Sequence, residues 1–370
     1  MTEQITDEDI IMKKLRLAVL CGGRSAEHEI SLLSAKSILD AMDRDKYEVI
    51  LIGIDKDGCW YLCDADSYLL NADDPNKIAL KTSPTPLAVV PGNGKTQILN
   101  CLTNEALPQI DVAFPILHGP FGEDGTVQGL LRIIGIPFIG ADILGSAVGM
   151  DKDVMKRLLR DAGLPIGKFR VIEKQFYDEI NYTEIVKDLG QPVFVKPANM
   201  GSSVGVNMAD SKDKFIEAVE CALQYDEKVI IEEQILGREI ECSVLGKDNP
   251  IASLPGEIVP QTDFYSYKAK YIDTDGAKLL VPADLPQDVV TSVQNLAIKT
   301  FKVLCCSGLA RVDCFLRGEK EIIINEINTM PGFTNISMYP TLWKATGIPF
   351  SELIDRLIAT AIRDTPEVRI

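Results

Sequence analysis

The chain has 370 residues, 46% of them apolar and 25% charged, so two or three packed domains with a sizeable core are expected. A formal net charge of −16 argues against non-specific attraction to nucleic acid or to an anionic membrane surface, and any phosphate-bearing ligand must be held by locally placed cations and backbone amides. Two histidines beside nine irregularly spaced cysteines leave a zinc site little to draw on and read as the reduced, structural thiols of a cytoplasmic protein.

In chain order, residues 1–13 are acidic, lack the basic start and apolar run of a signal peptide, and are expected to form a flexible tail. An apolar run at 14–21 ends in Gly22 and Gly23, and 25–42 repeats apolar residues at helical spacing, giving strand, glycine turn and helix. Strands at 47–54 and 110–117 flank a stretch, 73–95, without clear period, and the alternation implies an open α/β domain. The longest apolar region, 130–150, is broken by Arg132, Pro137, Asp142 and four glycines, so no membrane span is expected. Near Ser146 the pattern changes. Asp151 can cap a helix whose apolar face is Val154, Met155, Leu158, Leu159 and Ala162, stopped by Gly163 and Pro165, and a new domain is expected to begin just before it. Strands are then expected at 169–172, 192–196, 204–207 and 229–232, with a helix between the last two. Further strands follow at 239–245, 309–316 and 321–327, then a helix around 350–363.

The pair of strands at 309–316 and 321–327 is the most informative feature. Gly318 suits the first central position of a two-residue type II′ turn that would pair Arg317 with Lys320. Counting back sets Arg311 opposite Glu326, Asp313 opposite Ile324 and Leu309 opposite Asn328, so Arg311, Asp313, Glu326 and Asn328 share one face. Asp, Glu and Asn oxygens on a rigid surface suit magnesium, with phosphate oxygens completing the octahedron. An exposed, ion-paired face is the bland alternative, and a register slip of one residue would reverse the argument.

The 195–206 segment, VKPANMGSSVGV, has glycines that free a loop to approach a ligand and amides that can cradle an anion, although it is not a Walker A loop. Lys196 at a strand end and Lys152 at a helix start add cations. The turn at 21–27, with Asp55 after the second strand, is like the start of a dinucleotide-binding fold but lacks GxGxxG, so a nicotinamide-dependent oxidoreductase is the competing class. What is left is Glu27 at a helix amino terminus, placed to meet an ammonium group. His118 opens a glycine-rich loop, HGPFGEDG, at a sheet's carboxyl edge, as a ligand contact or as a satisfied loop residue.

Seven segments in register, GGRSAEHEIS, HGPFGEDG, MDK at 150–152, VKPANMGSSVGV, YSYKAKY at 265–271, GLARVDCF and NEINTMPGFT at 325–334, resemble the D-alanine:D-alanine ligases from Leu15 to about Ile362. The resemblance implies an ATP-grasp fold: a Rossmann-like, substrate-binding α/β domain at 1–140, then two β-rich α+β subdomains, 141–233 and 234–370, that sandwich ATP, with a lid at 261–282. It implies Lys152 and Lys196 on the phosphates of ATP, with Ser202 and Ser203 beside them. Glu232, Glu233 and Ile235 would contact adenine and Glu239 the ribose. Asp313, Glu326 and Asn328 would hold two Mg2+ (or Mn2+) ions. By the same likeness Glu27 holds the ammonium of the first D-alanine with His118 nearby, and Ser337, with Met338, receives the carboxylate of the second. Arg311 and the Gly332 amide would meet the oxyanion. Lys270 reaches the γ-phosphate, and Tyr271 forms a triad with Ser202 and Glu27. The implied reaction joins two D-alanines through an acyl phosphate for peptidoglycan synthesis, in a cytoplasmic homodimer that binds neither nucleic acid nor membrane. The chain departs from some relatives at 335–338, where Asn-Ile-Ser-Met replaces Ser-His-Ser-Leu. A D-alanine:D-lactate ligase or another carboxylate-amine ligase, and a non-catalytic regulator of the same fold, are the remaining alternatives.

Overall fold

The computed structural model describes residues 14–72, 74, 77–92, 97–260 and 277–363. From Leu17 onward the strand Leu15–Gly22 is apolar and buried because it lies in the middle of a sheet covered on both faces. It pairs in parallel with Tyr47–Ile54 and Val112–Pro115, and Trp60–Cys63 closes one edge antiparallel. Alternation along the strand divides its side chains. Leu17, Val19 and Cys21 pack with Leu32, Ala35 and Ile38 of the His28–Ala41 helix. Ala18 and Leu20 pack with Val127 and Leu131 of Thr126–Ile133. The first of these cores continues into Leu353, Ile354 and Leu357 of the Phe350–Arg363 helix, which therefore packs against the opening sheet.

A second four-stranded sheet follows, ordered Phe169–Glu173, Lys228–Glu233, Val193–Pro197, Asn207–Ala209 and antiparallel throughout. The helices Tyr182–Leu189 and Lys212–Ala222 bury Ile185, Phe215 and Val219 against it. The third sheet runs Ala277–Leu280, Gly256–Pro260, Arg238–Gly246, Gly308–Arg317, Glu321–Asn328. The Gln287–Val303 helix covers it with Val289, Val293, Ala297 and Phe301. Those apolar residues recur at helical spacing, yet the helix is not among the elements expected from the sequence. The helices Thr126–Ile133, Ile143–Met150, Tyr182–Leu189 and Met338–Ala345 are likewise not among the expected elements.

Three local expectations are corrected. Val204 and Gly205 belong to a turn, and the strand expected at 204–207 runs Asn207–Ala209. The Lys152–Asp161 helix is capped by Asp151, whose side chain accepts from the amides of Asp153 and Val154. Leu158 is nevertheless exposed, and Lys152 and Lys156 take the inward positions beside Met155 and Leu159. In the hairpin, Arg317 pairs with Glu321, not Lys320, across a three-residue loop opened by Gly318 at φ +61°. A bulge between Asp313 and Cys314 then shifts the count again, so Asp313 faces Glu326 and Arg311 faces Asn328. Two displacements of one residue cancel in parity, and the four side chains do share a face.

Candidate active site

Between the second and third sheets lies a cavity of about 310 Å³ lined by Lys152, Lys156, Lys196, Glu232, Asp313 and Glu326, among others. Its cations are built in, with Lys152, Lys156 and Lys196 each no more than 9% exposed. Lys152 opens its helix, with its amide bonded to Ala198 O at 3.0 Å and its Nζ donating to Met200 O at 2.8 Å. The Glu232 carboxylate sits between two of these lysines, 3.1 Å from Lys156 Nζ and 2.7 Å from Lys196 Nζ. Burial alone would raise the Glu232 pKa, but the two ammonium groups outweigh it and bring it to about 2. Burial is the largest influence on all three lysines: it lowers Lys152 and Lys156, whereas for Lys196 the charges of Glu232 and Glu326 win and raise it. Three buried ammonium groups brought to one cavity wall supply the local positive charge that a polyanion needs in an otherwise acidic chain.

Replacing Glu232 with Gln leaves Lys156 and Lys196 buried without their counter-ion, and a loss of about 3–5 kcal/mol of stability is expected. Chemical denaturation at neutral pH measures it. The folded carboxyl titrates below its ordinary value of 4.5, so the stabilisation is complete above that pH and is lost as the pH falls toward about 2. The wild-type advantage over Glu232→Gln should shrink along that window.

On the hairpin face, Arg311 donates to Asp313 in a two-point pair, Nε to Oδ1 and Nη2 to Oδ2, both 2.7 Å. Arg311 Nε also lies 2.9 Å from Glu241 Oε2, and Asn328 Nδ2 donates to Asp313 Oδ2 at 2.8 Å. Glu326 lies 3.9 Å from Lys152 Nζ, which ties this face to the lysine cavity. Among the described residues no three His, Cys, Asp or Glu side chains group to hold a metal. Two carboxylates and one amide at a lysine-lined cavity fit magnesium, which keeps few protein ligands and takes the rest from phosphate and water.

The loop Gly201 to Val206 carries Ser202 and Ser203 at φ +51° and +59°, a backbone region that costs L residues energy and clusters at functional sites. It delivers the Ser202 hydroxyl to Glu27 Oε1. Glu27 precedes the His28–Ala41 helix but makes no side-chain cap, so its carboxylate is turned to this loop. A Cβ at Gly119 or Gly201 would lie 2.6 Å or 2.9 Å from Glu27 Oε2, and these two glycines make the room it occupies.

His118 is 4% exposed. Its Nδ1 lies 2.8 Å from Met330 O and its Nε2 3.2 Å from Ser34 Oγ, so both ring nitrogens have protein partners. Glu123, an acid of the HGPFGEDG loop with no role expected from sequence, accepts from the amides of Gly119 at 2.7 Å and Met330 at 2.9 Å. Burial first, and then the charge of Glu27, hold its carboxyl well above the usual range. The signal available in sequence was an acid in a glycine loop; its partner lies 207 residues away.

Of the other expected residues, Ser203, Glu233, Ile235 and Glu239 line the lysine cavity with Ser202. Glu233 Oε1 accepts from the Lys168 amide at 2.7 Å. Ser337 Oγ faces Gly332 and bonds Thr334 Oγ1 at 2.8 Å. The Met338 side chain does not face a ligand space: it is 5% exposed and packs with Ile258 and Leu342. Lys270 and Tyr271 lie outside the described residues, as does most of the expected lid. Asp55, the would-be ribose acid of a nicotinamide site, instead accepts from the amides of Asp57 and Cys59 in a turn. No helix among the described residues is long and apolar enough to cross a membrane.

An open α/β domain followed by two sheets facing each other across a lysine-lined cavity defines an ATP-grasp protein. Family models described as the N-terminus and the C-terminus of D-ala D-ala ligase match residues 16–141 and 158–359. D-alanine–D-alanine ligase A of Escherichia coli (strain K12) is 53% identical over 351 residues, 95% of this chain and 96% of the relative. The D-alanine–D-alanine ligase of Oceanobacillus iheyensis is 52% identical over 354 residues, with the same coverage. Among solved structures, the D-alanine–D-alanine ligase from Coxiella burnetii superposes with a TM-score of 0.83 at 38% identity, covering 96% of this chain and 95% of that one. The VanG D-Ala:D-Ser ligase from Enterococcus faecalis does so with a TM-score of 0.83 at 36% identity, covering 94% and 100%. The chain belongs to the D-alanine–D-alanine ligase family.

Proposed function

We propose that this chain joins two D-alanine molecules into D-alanyl-D-alanine at the expense of ATP, for peptidoglycan synthesis. The observation that carries the reading is one strand face, Arg311, Asp313, Glu326 and Asn328, opening onto a cavity of buried lysines. In this reading the chain divides at 1–140, 141–233 and 234–370 and works in the cytoplasm as a homodimer.

The polyphosphate lies along Lys152 and Lys196, the adenine against Glu232, Glu233 and Ile235, and the ribose on Glu239. Asp313, Glu326 and Asn328 would hold Mg2+ (or Mn2+), which when bound neutralises charge on the transferring phosphoryl group. Glu27 receives the ammonium of the first D-alanine, whose carboxylate attacks the γ-phosphate to give an acyl phosphate and ADP. The amine of the second D-alanine, its carboxylate at Ser337, then attacks that carbonyl and expels phosphate. Arg311 and the Gly332 amide donate to the oxyanion of this second step, where placed donors count most. In this reading Lys270 acts on the γ-phosphate and Tyr271 on the second substrate, and the 261–282 segment would serve to keep water off the acyl phosphate.

ADP release followed with D-alanine, L-alanine, D-lactate and D-serine tests the reading. Turnover is expected only with D-alanine present, and equal rates with and without it would end the claim. A rate that rises when D-serine or D-lactate accompanies D-alanine would move the second-substrate assignment to that compound.

A further inference from the structure

His118 and Glu123 belong to one loop and grip one residue of another. Glu123 Oε1 accepts the Met330 N–H at 2.9 Å, and His118 Nδ1 meets the Met330 carbonyl at 2.8 Å. A carbonyl cannot donate, so Nδ1 carries the proton. Burial lowers the His118 pKa, which favours a neutral ring whose Nε2 then accepts. The Ser34 hydroxyl, 3.2 Å away, donates to it, and the same Oγ accepts the Phe333 N–H at 3.2 Å. Donors and acceptors run without conflict from Phe333 through Ser34 and His118 to Met330.

These bonds bracket one peptide unit. The Met330 carbonyl fixes the plane before Pro331, and the Phe333 N–H fixes the plane after Gly332. The peptide between them, joining Pro331 to Gly332, is held from both sides, with the Pro331 φ set by its ring. Pro331 has no N–H, those of Met330 and Phe333 are bonded, and that of Gly332 has no partner among the described residues. A fully anchored turn presenting one unused amide is what a preorganised anion donor requires.

We propose that Glu123, His118 and Ser34 are positioning residues that aim the Gly332 amide, and that His118 acts on the backbone of the oxyanion loop and not on D-alanine itself. The inference rests on the two-step ligation proposed above and assigns this clamp to the second step alone. It predicts a separation of the two half-reactions. Phosphoryl transfer is read by scrambling of a heavy-oxygen label from the β–γ bridge of ATP with D-alanine present, because the released β-phosphate rotates before ATP re-forms. Dipeptide formation is read separately.

In Ser34→Ala and Glu123→Gln, dipeptide kcat should fall about tenfold to a hundredfold. The rate of label scrambling, and the D-alanine concentration that half-saturates it, should stay within about twofold of wild type, since neither reads a second-step donor. Unchanged kcat, or scrambling and kcat falling together, overturns the clamp. If Ser34→Ala does not fold, Glu123→Gln decides, and failure of both to fold also overturns it, because a positioning device must be separable from the fold. A wild-type enzyme without D-alanine-dependent ADP release would instead remove the ligase reading beneath it.

Discussion

Glu326→Gln is expected to leave a folded protein whose turnover is reduced by about a thousandfold or more, the scale seen when a group stabilising transition-state charge is removed. The fold should survive because Glu326 lies at the cavity and its apolar neighbours on the strand, Ile324 and Ile327, carry the packing. The substitution keeps size and shape and removes one negative charge from the face that would hold the divalent ion. It also takes a carboxylate from beside Lys152. Two measurements separate these effects. Raising magnesium should recover part of the rate if ion binding is what was lost, while ATP affinity without the metal should stay the same or improve as the lysine is released. A Glu326→Gln enzyme with wild-type kcat at ordinary magnesium would remove the metal role of this face.

Arg311→Met should be costly in two readouts at once. The guanidinium spans Asp313 on one side and Glu241 on the other, with Glu241 only 5% exposed. Methionine keeps much of the stem but strands two carboxylates, and about 3–5 kcal/mol of stability should be lost. If Arg311 also donates to the oxyanion, dipeptide kcat should fall by about a hundredfold to a thousandfold. Arg311→Lys discriminates: it restores charge but not the planar fork, so stability should recover more than rate. A lysine variant as active as wild type would reduce Arg311 to a structural counter-ion.

The hairpin shows how far sequence could be read and where it stopped. The presence of both strands, and the residues that matter on them, followed from apolar alternation and the Gly318 turn. Register did not follow. The turn is one residue longer than Gly318 and Glu319 suggested, and that error alone would have put Glu326 and Asn328 on the opposite face from Asp313. The bulge at Asp313 and Cys314 restores the pairing of faces, yet no glycine or proline marks it in the sequence. A bulge is selected by the three-dimensional need to aim a side chain, which leaves little local trace. The Lys152–Asp161 helix teaches the converse. Its cap was legible in Asp151, but its apolar count assigned Leu158 inward, because a periodicity that scores only apolar residues cannot see that Lys152 and Lys156 are the ones buried. Glu27 lies 175 residues from Ser202, and their convergence came from family likeness rather than spacing.

The core that joins Leu17 and Val19 to Leu353 and Leu357 sets an order on biogenesis. The opening sheet emerges from the ribosome first, but one of its covering helices is translated only after both other sheets. Until then apolar side chains of the nascent domain stay wet and open to misassembly. Completion of the domain that carries Glu27 therefore waits on the synthesis of Phe350–Arg363, the last helix of the described residues.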